Sequence, residues 1–505
     1  MPHALGFDSS TQSLSAVLLD LDTLRITHEL SLPFGELTDY ASPRGFLENL
    51  SDGQVHADPR LWVAALDVLV QRMKDAGWPL SGVTAISGSG QQHGSVYLKE
   101  GFAARLATLD PARPLGPQLE GIYSRATSPI WMDGTTSAEC AEIAATLGGA
   151  EVVCARSGSV AVERFTGPQI RAFYKRDPQG YADTARIHLV SSFLCSLLIG
   201  ADAPIDTGDG AGMNLMNLAA EDWDAGLLAA TAPDLAAKLP PVSPASKPCG
   251  TVSAWLVQRF GFDPSCIVLP FSGDNPSSLV GMGAATPGRV VVSLGTSDTL
   301  FAAMTEPRTD PEGCGHVFGN PLGGYMTLAC IRNGSLAREA FRDQLGADWS
   351  AFEAAGDADL PETATTIPFV ADEITPKRPG GLSEADTSLA TPQRVRAFLE
   401  GQAFNLLRQL EWMHLKPTEL CLTGGASKNN GIARVFADVF GVPVSRLSVS
   451  NSAALGAAMR AAIAAGAPTE DLVKSLCASD STIQPTDRGT PARYGNWLLA
   501  LRAGA

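Results

Sequence analysis

The stretch FSGDNPSSLVGMG, Phe271 to Gly283, sets one carboxylate in a run that is otherwise small and uncharged. Removing an unpaired carboxylate from water is costly, so Asp274 has three available roles: solvated, capping a helix, or facing a bound reactant. Proline suits the first helical turn, and the residue before it resists helical torsions. The order therefore predicts a helix with Pro276 at its first position and Asn275 as N-cap. Asp274 then stands just outside the helix, near the positive end of its dipole, and is not needed as a cap. A carboxylate so placed can accept the proton of a substrate hydroxyl as that oxygen attacks a γ-phosphorus. The loose transition state of phosphoryl transfer lets an Asp of near-normal pKa serve.

Phosphate chemistry has two further candidates. The turn GFDSSTQS, Gly6 to Ser13, puts Asp8 at the end of a strand and Thr11 among hydroxyl donors in the bend. Backbone N–H groups and hydroxyls in such a bend suit phosphate oxygens, and a nearby Asp can hold hydrated Mg²⁺. SLGTSDT, Ser293 to Thr299, repeats the pattern with Gly295, Thr296 and Ser297. Either turn alone is also the composition of an ordinary polar hairpin; facing each other they would grip a polyphosphate from both sides.

TAISGSGQQHG, Thr84 to Gly94, spaces Gly88, Gly90 and Gly94 one residue too widely for a dinucleotide fingerprint, and SVYLKE after it reads as strand where that motif needs helix. The alternative is a strand-end loop whose Gln91, Gln92 and His93 face a hydroxylated ligand, although a lone His is often structural. Arg164 beside Glu163 in AVERFTGPQ is a surface ion pair or a ligand contact. In LTGGASKNN the strand ends at Gly424-Gly425, so backbone can approach a planar or phosphorylated ligand, or simply turn into the helix that follows. No Gly-Lys dipeptide occurs, which excludes a GxxxxGK[ST] phosphate loop.

The elements that must position these residues alternate between β-type and helical runs, an α/β pattern. ALGFDSSTQSLSAVLLDLD and RVVVSLGTSDTLFAAM share one grammar, strand, hydroxyl-rich turn, strand, in opposite halves of the chain, which suggests two related halves. Leu399, Ala403, Leu406, Leu407, Leu410 and Met413 follow helical spacing from Pro392 onward. Ile432, Val435, Phe436 and Val439 do so after the double glycine. The Pro-rich segment Thr231 to Gly250 reads as surface connection, and a boundary near Ile267 divides the chain into 1–266 and 267–505. Residues 354–391, rich in Asp, Glu and Pro, read as a second loop-like tract.

At 505 residues the chain is too long for one core. A net charge of −16 leaves no basic field for nucleic acid or an anionic membrane, and no run approaches a membrane span. Nine scattered cysteines without a C-x-x-C pair predict reduced thiols, and with no secretory leader the expectation is a cytoplasmic protein.

Taken in order, GFDSSTQS, SGSGQQHG, IWMDGTTSAEC, ERFTGPQI, DGAGMNLMNL, FSGDNPSSLVGMG, VVVSLGTSDT and LTGGASKNN resemble the FGGY carbohydrate kinases, from about residue 4 to about residue 465. The resemblance implies an α/β protein of two actin-like, ribonuclease-H-like ATPase domains, with ATP and sugar meeting in a central cleft. It implies Asp8 and Thr11 in the first phosphate loop, Gly295, Thr296 and Ser297 in the second, and Gly424, Gly425 and Asn429 against the adenosine. It further implies His93, Arg164, Asp274 and Asn275 as ketose ligands, Asp274 as base, and Asp8 and Asp274 as the carboxylates nearest Mg²⁺. The likeness is greatest to eukaryotic-type members acting on D-xylulose; L-ribulose, glycerol or a non-catalytic ATP sensor are the alternatives, and a homodimer is compatible. Four positions depart from the commoner bacterial pattern: Ser10 for Gly, Ser15 for a basic residue, Gln92 for Met and Thr135 for Arg.

Overall fold

The computed structural model describes all residues except 41, 48–49, 51–52, 448–450, 480 and 504–505. The chain forms two compact units. The first comprises Met1–Met282, Phe318–Tyr325 and Ser450–Cys477; the second comprises Gly283–Val317, Met326–Val449 and Ala478–Ala505.

The first unit is built on seven strands: β1 (His3–Ser9), β2 (Ser13–Asp20), β3 (Arg25–Pro33), β4 (Val83–Gly90), β5 (Gly250–Thr251), β6 (Ile267–Val268) and β7 (Ser272–Gly273). Their order is β5-β6-β4-β1-β2-β3, with β7 also pairing β4. β1 runs antiparallel to β2 and parallel to β4, with Phe7 opposite Gly88 and Asp8 opposite Ser89. Alternation along β1 sends Leu5 and Phe7 to one face, where they join Leu61, Trp62 and Leu69 of helix α1 (Pro59–Asp75) in a buried core. Gly6 points the other way. A Cβ there would collide with the backbone of Ala458, in the helix Ser452–Ala464, so this helix lies directly on the strand. Two short helices complete the frame of the site: α2 (Thr207–Ala211) and α3 (Asp274–Gly281).

The second unit repeats the scheme. β8 (Arg289–Leu294) pairs antiparallel with β9 (Asp298–Met304) and parallel with β12 (Glu419–Thr423). With β10 (His316–Gly319), β11 (Tyr325–Ile331), β13 (Val444–Arg446) and β14 (Thr482–Ile483) the order is β10-β11-β9-β8-β12-β13-β14. Helices α4 (Ser335–Gln344), α5 (Trp349–Ala355), α6 (Thr391–Met413) and α7 (Asn430–Phe440) follow. The Phe341 and Phe398 rings stack at 4.3 Å, joining α4 to α6. The expected internal symmetry is thus present as two strand–turn–strand units, each with a parallel strand beside its first strand.

Several expectations need correction. The compact units divide at 282/283, not 266/267, because β6 and β7 both pair with β4 and carry the segment up to Asp274 into the first sheet. The Pro-rich segment from Thr231 is more than a surface connection: it holds the short helix Leu235–Lys238, and Val242 pairs with Ile205. Residues 354–391 hold two small hairpins, Thr366–Ile367 with Ser383–Glu384 and Glu373–Ile374 with Lys377–Arg378. Buried Glu373 anchors this tract by accepting the N–H groups of Arg332 and Asn333. The polar composition that reads as loop is there serving backbone satisfaction.

Candidate active site

The carboxylates of the first unit gather where β1, β4 and α3 end or begin. Asp8 is the penultimate residue of β1, and its Oδ1 accepts the Ser89 hydroxyl at 2.7 Å from the neighbouring strand. Asp274 opens α3 itself. The helix is capped by Gly273 without any side-chain bond, so Asn275 is not the N-cap and Pro276 sits two positions deeper than expected, third in the helix. Asp274 instead caps from within: its Oδ1 accepts the backbone N–H of Asn275 at 2.9 Å and of Gln92 at 3.3 Å. The first is what a helix N-terminus offers any anion, here taken by a side chain of the first turn, and the second comes from the loop after β4.

Burial pushes the Asp274 carboxyl up to about 6, against the lowering effect of those N–H donors. Burial likewise pushes Asp8 up to about 7; the Ser89 hydroxyl draws it down and the charge of Asp274 adds to the rise. Asp209 of α2, whose N–H donates to Asp206 Oδ1 and whose carboxyl accepts the Ser191 hydroxyl, is raised well above the usual range by burial and by Asp206 and Asp274. Among the described residues no cluster of three or more His, Cys, Asp or Glu forms a metal-binding group. Two carboxylates that feel each other's charge are nonetheless the donor set that hydrated Mg²⁺ takes beside phosphate oxygens.

The loop after β4 carries His93 in a left-handed conformation, φ +71°, which costs a non-glycine residue about 1–3 kcal/mol. Its surroundings hold it there. Nδ1 donates to the Gly212 carbonyl at 2.8 Å, the ring stacks on Phe165 at 4.2 Å, and the His93 carbonyl accepts the Thr166 hydroxyl at 3.1 Å. Arg164 lies over the same Phe165 ring at 5.6 Å, so the two predicted ligands share one aromatic support. Glu163 does not serve as a simple surface partner: its carbonyl accepts from Thr136 and Gln169, and its carboxylate from Ser137. As expected, a strand follows the loop, Ser95–Leu98.

Other motif residues turn out structural or differently engaged. Thr11 in the first turn accepts the Trp131 indole N–H at 2.8 Å, which brings the half-exposed Trp131 over this turn. Asp133 of the same WMD block is fully buried; bonds from His56, Thr135 and Gln169 outweigh its burial and hold its carboxyl far below the usual range. Thr135 spends its hydroxyl on Asp133, and Ser15 spends its own on Ser31 of β3.

In the second unit the two predicted nucleotide segments line one cavity of about 750 Å³. Gly295 and Thr296, from the β8–β9 turn, form one side, and Gly425 and Asn429, between β12 and α7, another. Ser297 completes the same turn. Gly424 is required by geometry: its φ is +87°, and a Cβ would strike the Leu294 backbone. Asn429 caps α7, accepting the Ile432 N–H at 2.9 Å. Sequence reasoning missed Leu336 and Trp349, both exposed on this wall. Trp349 opens α5 far from either motif in the chain, and only its unusual exposure marks it. Asp209 was missed too, because nothing in DGAGMNLMNL announces burial.

Comparison with known proteins adds the following. The C-terminal domain of the FGGY family of carbohydrate kinases matches residues 290–465, and its N-terminal domain matches residues 126–281. A xylulose kinase of Mus musculus is 40% identical over 471 residues, 90% of this chain and 85% of that protein. Xylulose kinase 2 of Arabidopsis thaliana is 39% identical over 483 residues, 91% and 86%. Among solved structures, the xylulose kinase from Rhodospirillum rubrum superposes with a TM-score of 0.82 at 20% identity, over 99% of this chain and 98% of that one. A kinase from Brucella ovis described as a xyloylose kinase gives 0.81 at 24% identity, over 99% of each. The solved structures bear on the fold, an α/β architecture of two domains.

Proposed function

The chain belongs to the FGGY family of carbohydrate kinases, and from that premise we propose that it transfers the γ-phosphoryl group of ATP to the terminal hydroxyl of D-xylulose, giving D-xylulose 5-phosphate. The observation that carries the reading is the Asp274 carboxylate, partly buried, held by two backbone N–H groups, and joined through Gln92 to the loop of His93. Asp274 accepts the proton of the terminal hydroxyl as its oxygen attacks phosphorus. His93, Arg164 and Asn275 hold the remaining oxygens of the ketose. Asp8 and Thr11 serve the phosphates from the first turn, with Asp8 and Asp274 the carboxylates for magnesium; Gly295, Thr296 and Ser297 serve them from the second. Gly424, Gly425 and Asn429 border the adenosine. A bound magnesium ion supplies charge neutralisation at the phosphates.

Among the described residues no helix is long and apolar enough to cross a membrane, and all nine cysteines are free thiols, which supports a cytoplasmic setting. The test is a coupled ADP-release assay across D-xylulose, L-ribulose, xylitol, glycerol and gluconate. D-xylulose should give the highest kcat/KM, and a tenfold preference for any other acceptor would move the substrate assignment. Asp274→Asn should lower kcat by two or more decades with ATP affinity nearly intact. That loss corresponds to roughly 3 kcal/mol or more of transition-state stabilisation.

A further inference from the structure

Gln92 is 3% exposed and touches three consecutive residues at the start of α3. Its side chain lies flat on Gly273, so closely that a Cβ on that glycine would overlap it. Its backbone N–H donates to Asp274 Oδ1, and its Oε1 accepts the Asn275 Nδ2 at 2.8 Å. The same Nδ2 also reaches Asp274 Oδ1 at 3.2 Å. Gln92 Nε2 is buried and has no partner. A methionine of equal length would fill this space with no donor left unsatisfied, so volume alone does not account for a glutamine here.

The hydrogen-bond chemistry does. An ionised carboxylate only accepts, so the Asn275 group next to Asp274 is the amide nitrogen, and the Gln92 group facing that nitrogen is its oxygen. Both hydrogens of Asn275 Nδ2 are thereby spent inside the protein, and Asn275 Oδ1 remains as the acceptor. We infer that Gln92 is a positioning residue for sugar recognition: by fixing the amide of Asn275 it presents Asn275 Oδ1 to a hydroxyl of the ketose, and it ties the base to the His93 loop. This rests on the roles given above to Asn275 and Asp274. Gln92 acts through these two residues and touches no reacting atom.

Two variants test this in the full-length enzyme. Gln92→Met removes the acceptor at constant volume; calorimetric binding of D-xylulose without nucleotide should weaken at least tenfold, with ADP affinity within twofold. Gln92→Glu keeps an acceptor for Asn275, so D-xylulose affinity at pH 8 should stay within threefold of wild type. A purely packing role would not separate the ketose from ADP, nor Gln92→Met from Gln92→Glu. Wild-type ketose affinity in Gln92→Met, or a tenfold loss of it in Gln92→Glu, overturns the inference; if the methionine variant fails to fold, the glutamate variant decides. Undiminished turnover in Asp274→Asn would remove the base assignment instead, and the calorimetric result on Gln92→Met would still stand or fall alone.

Discussion

Asp8 and Asp274 are the residues whose chemistry depends most on pH. Asp274 must be ionised to take a proton, and burial holds its carboxyl near 6, so kcat/KM should fall as pH drops through about 6 and level off above about 7. Because the two carboxyls interact, the limb reports the pair rather than one member. Initial rates between pH 5 and 8 check this; a limb near 4 would mean that Asp274 is solvated during turnover. Asp8 makes a separate prediction about stability. Its folded value of about 7 lies above the ordinary 3.8, so the fold favours the neutral acid. That contribution is complete below about pH 4 and disappears as pH rises through about 7. Without magnesium or nucleotide, Asp8→Asn should unfold near the wild-type temperature at pH 4.5 and above it at pH 8. A difference that ignores pH would show that the carboxyl is not desolvated.

The elements that deliver Asp274 are held by glycine. The Ser452–Ala464 helix packs on α3 so closely that a Cβ at Gly456 would strike the Ser277 carbonyl, and one at Gly281 the Ser452 carbonyl. Gly456→Ala therefore forces the two helices apart, and overpacking of this kind costs about 1–3 kcal/mol. The expected result is a lower urea midpoint at unchanged m-value together with a fall in kcat, since α3 carries Asp274; loss of stability with wild-type kcat in the folded fraction would uncouple this packing from catalysis. The strand–turn–strand units were legible from their apolar runs and hydroxyl-rich bends. The partner of Gly456 was not, because local pattern records which face is small but not what lies against it. The N-cap failed for a related reason: Asn275 has the right chemistry, yet its amide is used by Gln92, a residue remote in sequence, and the helix begins two residues earlier than expected. Trp349 escaped notice because a binding wall assembled from separate segments has no spacing to read.

At the scale of the whole molecule, equal halves were the natural expectation, but the chain returns: Ser450–Cys477 belongs to the first unit although the second surrounds it in sequence. A composition shift marks a linker only where the chain crosses once, and here the crossings fall in ordinary-looking stretches. What closes the second unit is equally invisible to hydropathy. Arg396, Arg493 and Glu400 are all essentially buried; Arg396 pairs with Glu400 at 2.9 Å and with Asp438 at 2.8 Å, and Arg493 holds both oxygens of Glu400 at 2.6 and 2.7 Å. These bonds join α6, α7 and the C-terminal helix Thr490–Ala503, which a hydrophobic count would call poorly fitted to a core. Removing one partner of such a network strands buried charge at a cost of about 3–5 kcal/mol. Glu400→Gln keeps the volume and removes the charge, so it should lower the unfolding free energy by that amount, and the midpoint with it, while D-xylulose affinity, measured by calorimetry well below the midpoint, stays at the wild-type value, because every residue assigned to the sugar lies in the first unit. Denaturation followed by circular dichroism, paired with that titration, checks both halves. A midpoint unchanged from wild type would mean that water already reaches the network, and a weakened ketose affinity would mean that the sugar site draws on the second unit's ionic core.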